Sequence, residues 1–429
     1  MYFFNARLKF KIRPTVVPIP GSIIAASAIS AVDLEKREFG AYSHLNKKLL
    51  DPQLYVATVD PALDPKTVAR LAAYPWFHGT DVPKYKSGEH GTRTAWKKKH
   101  KADFISKWTR TVPTAPDAIR KAARAAVEFQ LKIGCDGILL PVPLTTIADQ
   151  TLQAELEWME AGIRVCADLK TSCPIYATVA LSEAVLHVPA LKNPIIHSLS
   201  NYIAARSELA GAYIVLEQTD PSSYFWTSKD PLMALLILVD DLVRGAGKKV
   251  IVNYVGTFGL VAKAAGAEVW SSGYFLTQRR FSLKGQMGIA HPRYHSLAMA
   301  GDIGLKADIA SIRDAGLADE FMTPTNADAV LRTALAQGKT PAAVPEWKYA
   351  PNNWPAAQEH YLQIVSETGA KLETMSATQR QDWTLNWLTN AVKLVDVLEH
   401  KELVGMATDT SHQKVWLDVF KEWRTYAKQ

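Results

Sequence analysis

From residue 137 onward, apolar runs of strand length recur at intervals of thirty-odd residues, at 137–142, 174–181, 212–217 and 249–254. Between them, apolar positions fall at helical spacing over 149–169, 195–209 and 231–245. The strand runs are apolar throughout rather than alternating. That pattern predicts parallel strands buried on both faces and covered by the intervening helices.

Shorter signals extend the series. Residues 54–59 read as an early strand, followed by a helix opening at Asp64-Pro65, with proline in the first helical turn. Residues 22–30 and 268–271 read as further strands, and one more unit is expected to be concealed between residues 74 and 117. Over 250–280, a strand, a glycine-containing loop, a short helix and a second strand follow within about twenty residues, as in the last two units of a (β/α)8 barrel. The rival, an open doubly wound sheet, would want a Gly-x-Gly-x-x-Gly turn after its first strand, and the sequence has none. The expected fold is therefore α/β, a (β/α)8 TIM-type barrel over 1–300 with a basic insertion near 82–110. A mostly helical C-terminal region follows over 301–429, because strand signals vanish after about Gly301 and helical spacing appears at 328–336, 354–366, 378–400 and 411–426. Trp383, Trp387, Trp416 and Trp423 recur at helical spacing there, which suits core packing against the barrel or against a protein partner.

Composition narrows the class without naming a reaction. With 429 residues, 48% of them hydrophobic, the chain can build one large core and a smaller one. The longest apolar stretch, 231–239, runs straight into Asp240 and Asp241, far short of a membrane span. Arg7, Lys9, Lys11 and Arg13 interrupt the apolar residues that follow the Phe3-Phe4 pair, so no secretory signal is expected. No membrane association and a cytoplasmic location are the expectations. Cys135, Cys166 and Cys173 are odd in number, lack Cys-x-x-Cys spacing and sit in or beside core segments, which predicts a reduced protein without zinc or any other metal. No cofactor is expected. A formal net charge of +7 permits an anionic partner without requiring one.

In a barrel the working residues project from the C-terminal ends of the strands. Asp60, which ends the 54–59 run, and Glu217, which ends the 212–217 run, are the candidate catalytic carboxylates, able to serve as acid, base or nucleophile. Asp60 precedes Pro61 and could instead start a turn or cap a helix, and Glu217 could pair with a loop cation. Ser182, Glu183, Asp220, Asn253, Ser271 and Ser272 occupy comparable places. Gly256 and Thr257, at the start of the 258–265 helix, with Arg279 beyond the next strand, are candidate phosphate ligands. Their bland alternatives are a tight turn and, for Arg279 with Arg280, a solvated pair. Lys97, Lys98, Lys99 and Lys101, with Trp96 and Trp108 nearby, could neutralise a phosphate backbone and stack on bases, or simply form a solvated face. Eleven histidines show no metal-ligand spacing, and no serine-hydrolase or ATPase signature appears. His291 and His295 flank Pro292-Arg293 and suit a surface loop or a proton carrier.

Tyr254-Val255-Gly256-Thr257, then Ala265-Gly266-Ala267-Glu268-Val269-Trp270, then Leu276-Thr277-Gln278-Arg279-Arg280 resembles the late-barrel segment of the tRNA-guanine transglycosylases over about thirty residues, with a looser likeness at Val59-Asp60. The resemblance implies a barrel that exchanges a base on a nucleic acid through a covalent glycosyl intermediate. The family's nucleophilic aspartate would fall near Ser271 or Ser272, and its Cys/His zinc cluster has no counterpart, which implies rearranged chemistry or binding without catalysis. The leading expectation is a barrel enzyme acting on a nucleotide or nucleic acid by glycosidic-bond or base-exchange chemistry. The alternatives are a non-catalytic nucleic-acid-binding subunit of a larger assembly, and a small-molecule lyase or aldolase with a phosphorylated substrate.

Overall fold

The computed structural model of the chain describes residues 1–6, 19–35, 47–59, 65–77, 112–148, 151–219, 225–283 and 291–428. Asp60, Asp220, the basic tract with Lys97, Lys98, Lys99 and Lys101, and the expected insertion at 82–110 lie outside these residues.

Eight parallel strands form one sheet: β1 (Tyr2–Ala6), β2 (Gly21–Ala25), β3 (Lys47–Asp51), β4 (Ile138–Leu139), β5 (Ile175–Ser182), β6 (Leu209–Glu217), β7 (Lys249–Asn253) and β8 (Val269–Ser272). Their order is β3-β2-β1-β8-β7-β6-β5-β4. The two edges approach each other, because the Asp136 N–H donates to the Lys48 carbonyl at 2.9 Å and the Lys48 N–H donates to Asp136 Oδ2 at 2.7 Å. The sheet thus curls into a nearly closed (β/α)8 barrel. Helices α1 (Pro65–Leu71) and α2 (Pro116–Lys132) both lie between β3 and β4, and α3 (Gln153–Asp168), α4 (Pro189–Ala205), α5 (Lys229–Asp240) and α6 (Gly259–Ala264) alternate with the strands from β4 to β8. Proline at the start of α2 and of α4 fits the first turn, where no backbone donor is lost to the helix.

Close strand and helix packing depends on two glycines. A Cβ at Gly211 would lie 1.7 Å from the Lys249 carbonyl oxygen, so β6 and β7 pair there only without a side chain. At Gly259 a Cβ would lie 2.0 Å from the Trp270 ring, which fills the space between α6 and β8.

The first strands differ from the sequence reading. Residues 54–59, expected as a strand, begin instead with a 3-10 turn (Leu54–Val56), and the strand is β3 just before it. Pro52 cannot donate to a ladder and Gln53 adopts a left-handed conformation (φ 52°), so the strand must stop at Asp51. The 54–59 run is apolar because it is buried over the end of the barrel, with Leu54, Tyr55 and Val56 all inaccessible. Of the 22–30 run, only the part within Gly21–Ala25 is strand; a turn follows. The strand that completes eight is β1, between β2 and β8; the unit expected between 74 and 117 falls mostly at 78–111, outside the described residues.

Strand structure also continues past the barrel. β9 (Arg293–Ser296) and β10 (Gly301–Gly304) form an antiparallel hairpin across the expected boundary near 300. The tail then supplies α7 (Pro355–Glu373), α8 (Ala377–His400) and α9 (Gln413–Tyr426). The Ser376 side chain caps α8 reciprocally with Gln379. α7 lies on β1, with Gly369 so close that a Cβ would stand 3.3 Å from that of Tyr2, and α9 packs on α5. Trp416 and Trp423 are fully buried, and the Trp416 indole donates to the Trp226 carbonyl at 2.7 Å. Trp387, Trp416 and Trp423 are therefore core residues, with Trp383 half-buried against them, and the tail walls the barrel. No helix among the described residues is long and apolar enough to cross a membrane.

Candidate functional site

β3 and β6 lie three strands apart around the ring, yet their side chains meet. The Tyr213 hydroxyl, from mid-β6, donates to Asp51 Oδ2 at the end of β3 across 2.7 Å, a bond that must cross the barrel interior. With a period of two along each strand, Asp51, Tyr213 and Asn253 therefore face inward. Asn253 Nδ2 donates to the Tyr213 hydroxyl at 2.6 Å, and Asn5 receives a hydrogen bond from Ser271 at 2.8 Å beside it. Below this polar layer the next inward positions, such as Leu49 and Ile251, are buried and apolar. The C-terminal end of the bore is thus the place where hydrogen-bonding side chains converge.

Asp51 is its focus. Oδ2 accepts from the Tyr55 and Tyr213 hydroxyls and Oδ1 from the Gln53 N–H at 3.1 Å. The residue is wholly buried. Burial raises its pKa from 3.8 to about 6, against the opposing pull of the hydrogen bonds from Tyr55, Tyr213 and Gln53. Tyr55 and Tyr213 are pushed well above the usual phenol range by burial and by the Asp51 charge, so both remain donors. The result is a carboxyl that exchanges its proton near neutrality while two phenols fix its orientation.

The backbone on either side is strained. Gln53 and Tyr254 have φ of 52° and 60°, a left-handed conformation that costs a residue with a Cβ about 1–2 kcal/mol. They follow β3 and β7, and Gln53 Nε2 donates to the Tyr254 hydroxyl at 3.1 Å. Strain of this kind gathers at functional sites, because a precise side-chain placement is what holds it in place. Phe281 closes the layer from above: its ring meets Tyr55 edge-on at 4.9 Å and Tyr254 at 6.1 Å, and it bridges to Glu217 through the backbone.

Glu217 lies on the same face of β6 as Tyr213, four residues nearer the rim. It is buried and accepts from Ser182 Oγ at 2.8 Å. The adjacent carboxylate, Glu183, has a structural task. It accepts from the Thr219 N–H and hydroxyl and from the Trp226 indole, and despite burial these bonds, with one from Ser228, hold it below the usual glutamate range. Glu183, Gln218, Trp226 and Arg280 line a small cleft at this rim, with room for little more than a water molecule.

The structure does bring Gly256, Thr257 and Arg279 together after β7 and β8. Gly256 has φ of 53°, and a Cβ there would stand 3.6 Å from that of Arg279. Arg279 is not solvated, however. Its guanidinium is buried, bonded to Asp302 at 2.5 Å and to the Gly273 carbonyl at 3.3 Å, and lies 4.3 Å from the centre of the Tyr361 ring. His295 Nδ1 is 2.8 Å from the other Asp302 oxygen, so this histidine is a buried partner rather than a surface-loop residue. Although burial works against ionisation of Asp302, Arg279 and His295 hold its carboxyl far below the usual range. Ser271 is committed to Asn5 and Ser272 to the Tyr361 hydroxyl at 3.0 Å.

Sequence reasoning singled out Glu217 and noted Asn253, but missed Asp51, Tyr55 and Tyr213. A signal existed: Asp51-Pro52 and Asp60-Pro61 both place a carboxylate and a chain-breaking proline after leucines or valines, and the earlier pair is the one that ends a strand. Among the described residues no group of His, Cys, Asp and Glu side chains is placed to hold a metal ion. Comparison with protein-family models, with curated proteins and with solved structures gives no match for this chain.

Proposed function

We propose that this barrel is an enzyme that works by proton transfer at the C-terminal end of its bore, with Asp51 as the acid or base and Glu217 as a second carboxylate. One observation carries the reading. A fully buried aspartate ends a barrel strand, holds its proton up to about pH 6, and is oriented by two phenols between two strained residues. A group tuned towards neutrality accepts or gives a proton at working pH far better than an ordinary carboxylate.

The reaction class that best uses two carboxylates in unlike environments is cleavage or exchange at a glycosidic bond, one giving a proton to the leaving group while the other stabilises or attacks the sugar carbon. A nucleotide or nucleic acid is the substrate class suggested by the lysines at 97–101 and by the likeness to the tRNA-guanine transglycosylases. In this reading Phe281 must move aside for a substrate to reach Asp51.

The test is turnover of a panel of nucleosides, nucleotides and oligonucleotides, followed by detection of released or exchanged base. Asp51→Asn should lower turnover by about 10²–10⁴-fold while leaving the circular dichroism spectrum unchanged. Glu217→Gln should also cut turnover while sparing oligonucleotide retention. Full activity in Asp51→Asn would exclude the assignment.

A further inference from the structure

Loops after the seventh and eighth strands are where barrels commonly hold a phosphate. Here that place contains Gly256 and Thr257, at the turn into α6, and Arg279, in the short helix Leu276–Arg279 after β8. The Arg279 guanidinium is walled by aromatic rings, with Tyr361 at 4.3 Å, Tyr274 at 5.7 Å and Phe225 at 5.9 Å. A buried cation in such a place needs an anion at all times, because an unpaired buried charge is strongly destabilising. Among the described residues, no barrel carboxylate is paired with it. The anion is Asp302, from β10 of the hairpin, held on its far side by His295. Next to the pair, Thr257 is fully buried, and its hydroxyl lies against Tyr361, the ring that also covers the Arg279 guanidinium. A hydroxyl placed beside a buried cation is a donor that a larger oxyanion could use.

We propose that Gly256, Thr257 and Arg279 form an oxyanion-binding site that the protein fills with its own Asp302 carboxylate, so that the β9–β10 hairpin is docked on the barrel as an intramolecular ligand. The ligand chemistry is that of a small oxyanion, with carboxylate or phosphate as its possible sources. This inference is independent of the role given to Asp51.

The experiment is rescue of an Asp302→Ala chain by anions, with Asp302→Asn as the milder companion. Unfolding midpoints and refolding yields are read at constant ionic strength while chloride is exchanged for formate or for inorganic phosphate. At an anion concentration ten times its dissociation constant, the folded-to-unfolded ratio of the Ala variant should rise about elevenfold, and saturably. The wild type, with its site occupied, should respond no more to these anions than to chloride, and adding Arg279→Gln to the variant should abolish the rescue. Rescue by formate alone marks a carboxylate-sized site; rescue by phosphate at lower concentration marks one built for phosphate. A variant that gains nothing from either anion, that stays unfolded at every anion concentration, or that responds equally without Arg279 overturns the proposal.

Discussion

Asp51 ties the stability of the barrel to pH in a direction opposite to that of most buried carboxylates. Its proton is held more tightly in the folded chain, with the pKa moved from 3.8 to about 6, so the folded state is penalised when the group ionises. That contribution is intact below pH 3.8 and is lost progressively as pH rises through about 6. Two pK units correspond to about 3 kcal/mol. Asp51→Asn removes the titration: its amide oxygen can still accept from the phenols, but its NH2 then faces the Gln53 N–H, a uniform cost that does not vary with pH. The assay is urea unfolding of both chains at closely spaced pH values. The stability of the wild type minus that of Asp51→Asn should fall by about 3 kcal/mol between acid and neutral pH, with its midpoint between the two pKa values. Because the difference cancels groups common to both chains and distant from Asp51, it isolates this carboxyl. A difference that is flat, or that grows with pH, would refute the assignment of a burial-raised pKa and with it the case for Asp51 as an acid or base.

Further expectations concern other parts of the molecule. Tyr213→Phe deletes one of the two phenol donors and should move the Asp51 titration further upward by about one unit, since a hydrogen bond to a charged group contributes about 1.5–3 kcal/mol; the same difference curve reads it. His360 and His412 are held near 4 by burial, so their contribution to stability is present above pH 6.5 and is lost as pH falls towards 4. His412→Gln should remove about 3 kcal/mol of acid sensitivity from the unfolding profile. Gly211→Ala forces β6 and β7 apart and should destabilise the chain by about 3 kcal/mol or prevent folding, as a thermal midpoint shows. Replacing Lys97, Lys98 and Lys99 by Gln should lower the salt concentration needed to elute the protein from heparin if that tract contacts a phosphate backbone; an unchanged elution would remove it from the proposed interface.

The later half of the barrel was legible in the sequence because β5, β6 and β7 are buried on both faces, and such strands read as unbroken apolar runs. The early strands were not. β3 opens with two lysines at the outer end of the bore, whereas the apolar 54–59 run beside it is buried as a turn. The hairpin escaped notice because β9 and β10 are four residues each and carry Arg293, His295 and Asp302. Glu217 could be found from its place after a long strand. The Asp51 cluster could not, because Tyr213 sits in mid-strand, where periodicity reads an aromatic as core and says nothing of a hydroxyl reaching across the bore.

The pairing of β1 with β8 imposes an order on synthesis and assembly. One edge of β1 finds β2 early, but the other has no neighbour until residues 269–272 have been made, and its outer face is not covered until α7 follows. Until then the nascent chain carries an open strand edge with Tyr2 uncovered, a surface prone to pair with other chains. Ring closure is therefore a late and long-range event, and the interval before it is when this protein is most exposed to aggregation or most in need of a chaperone.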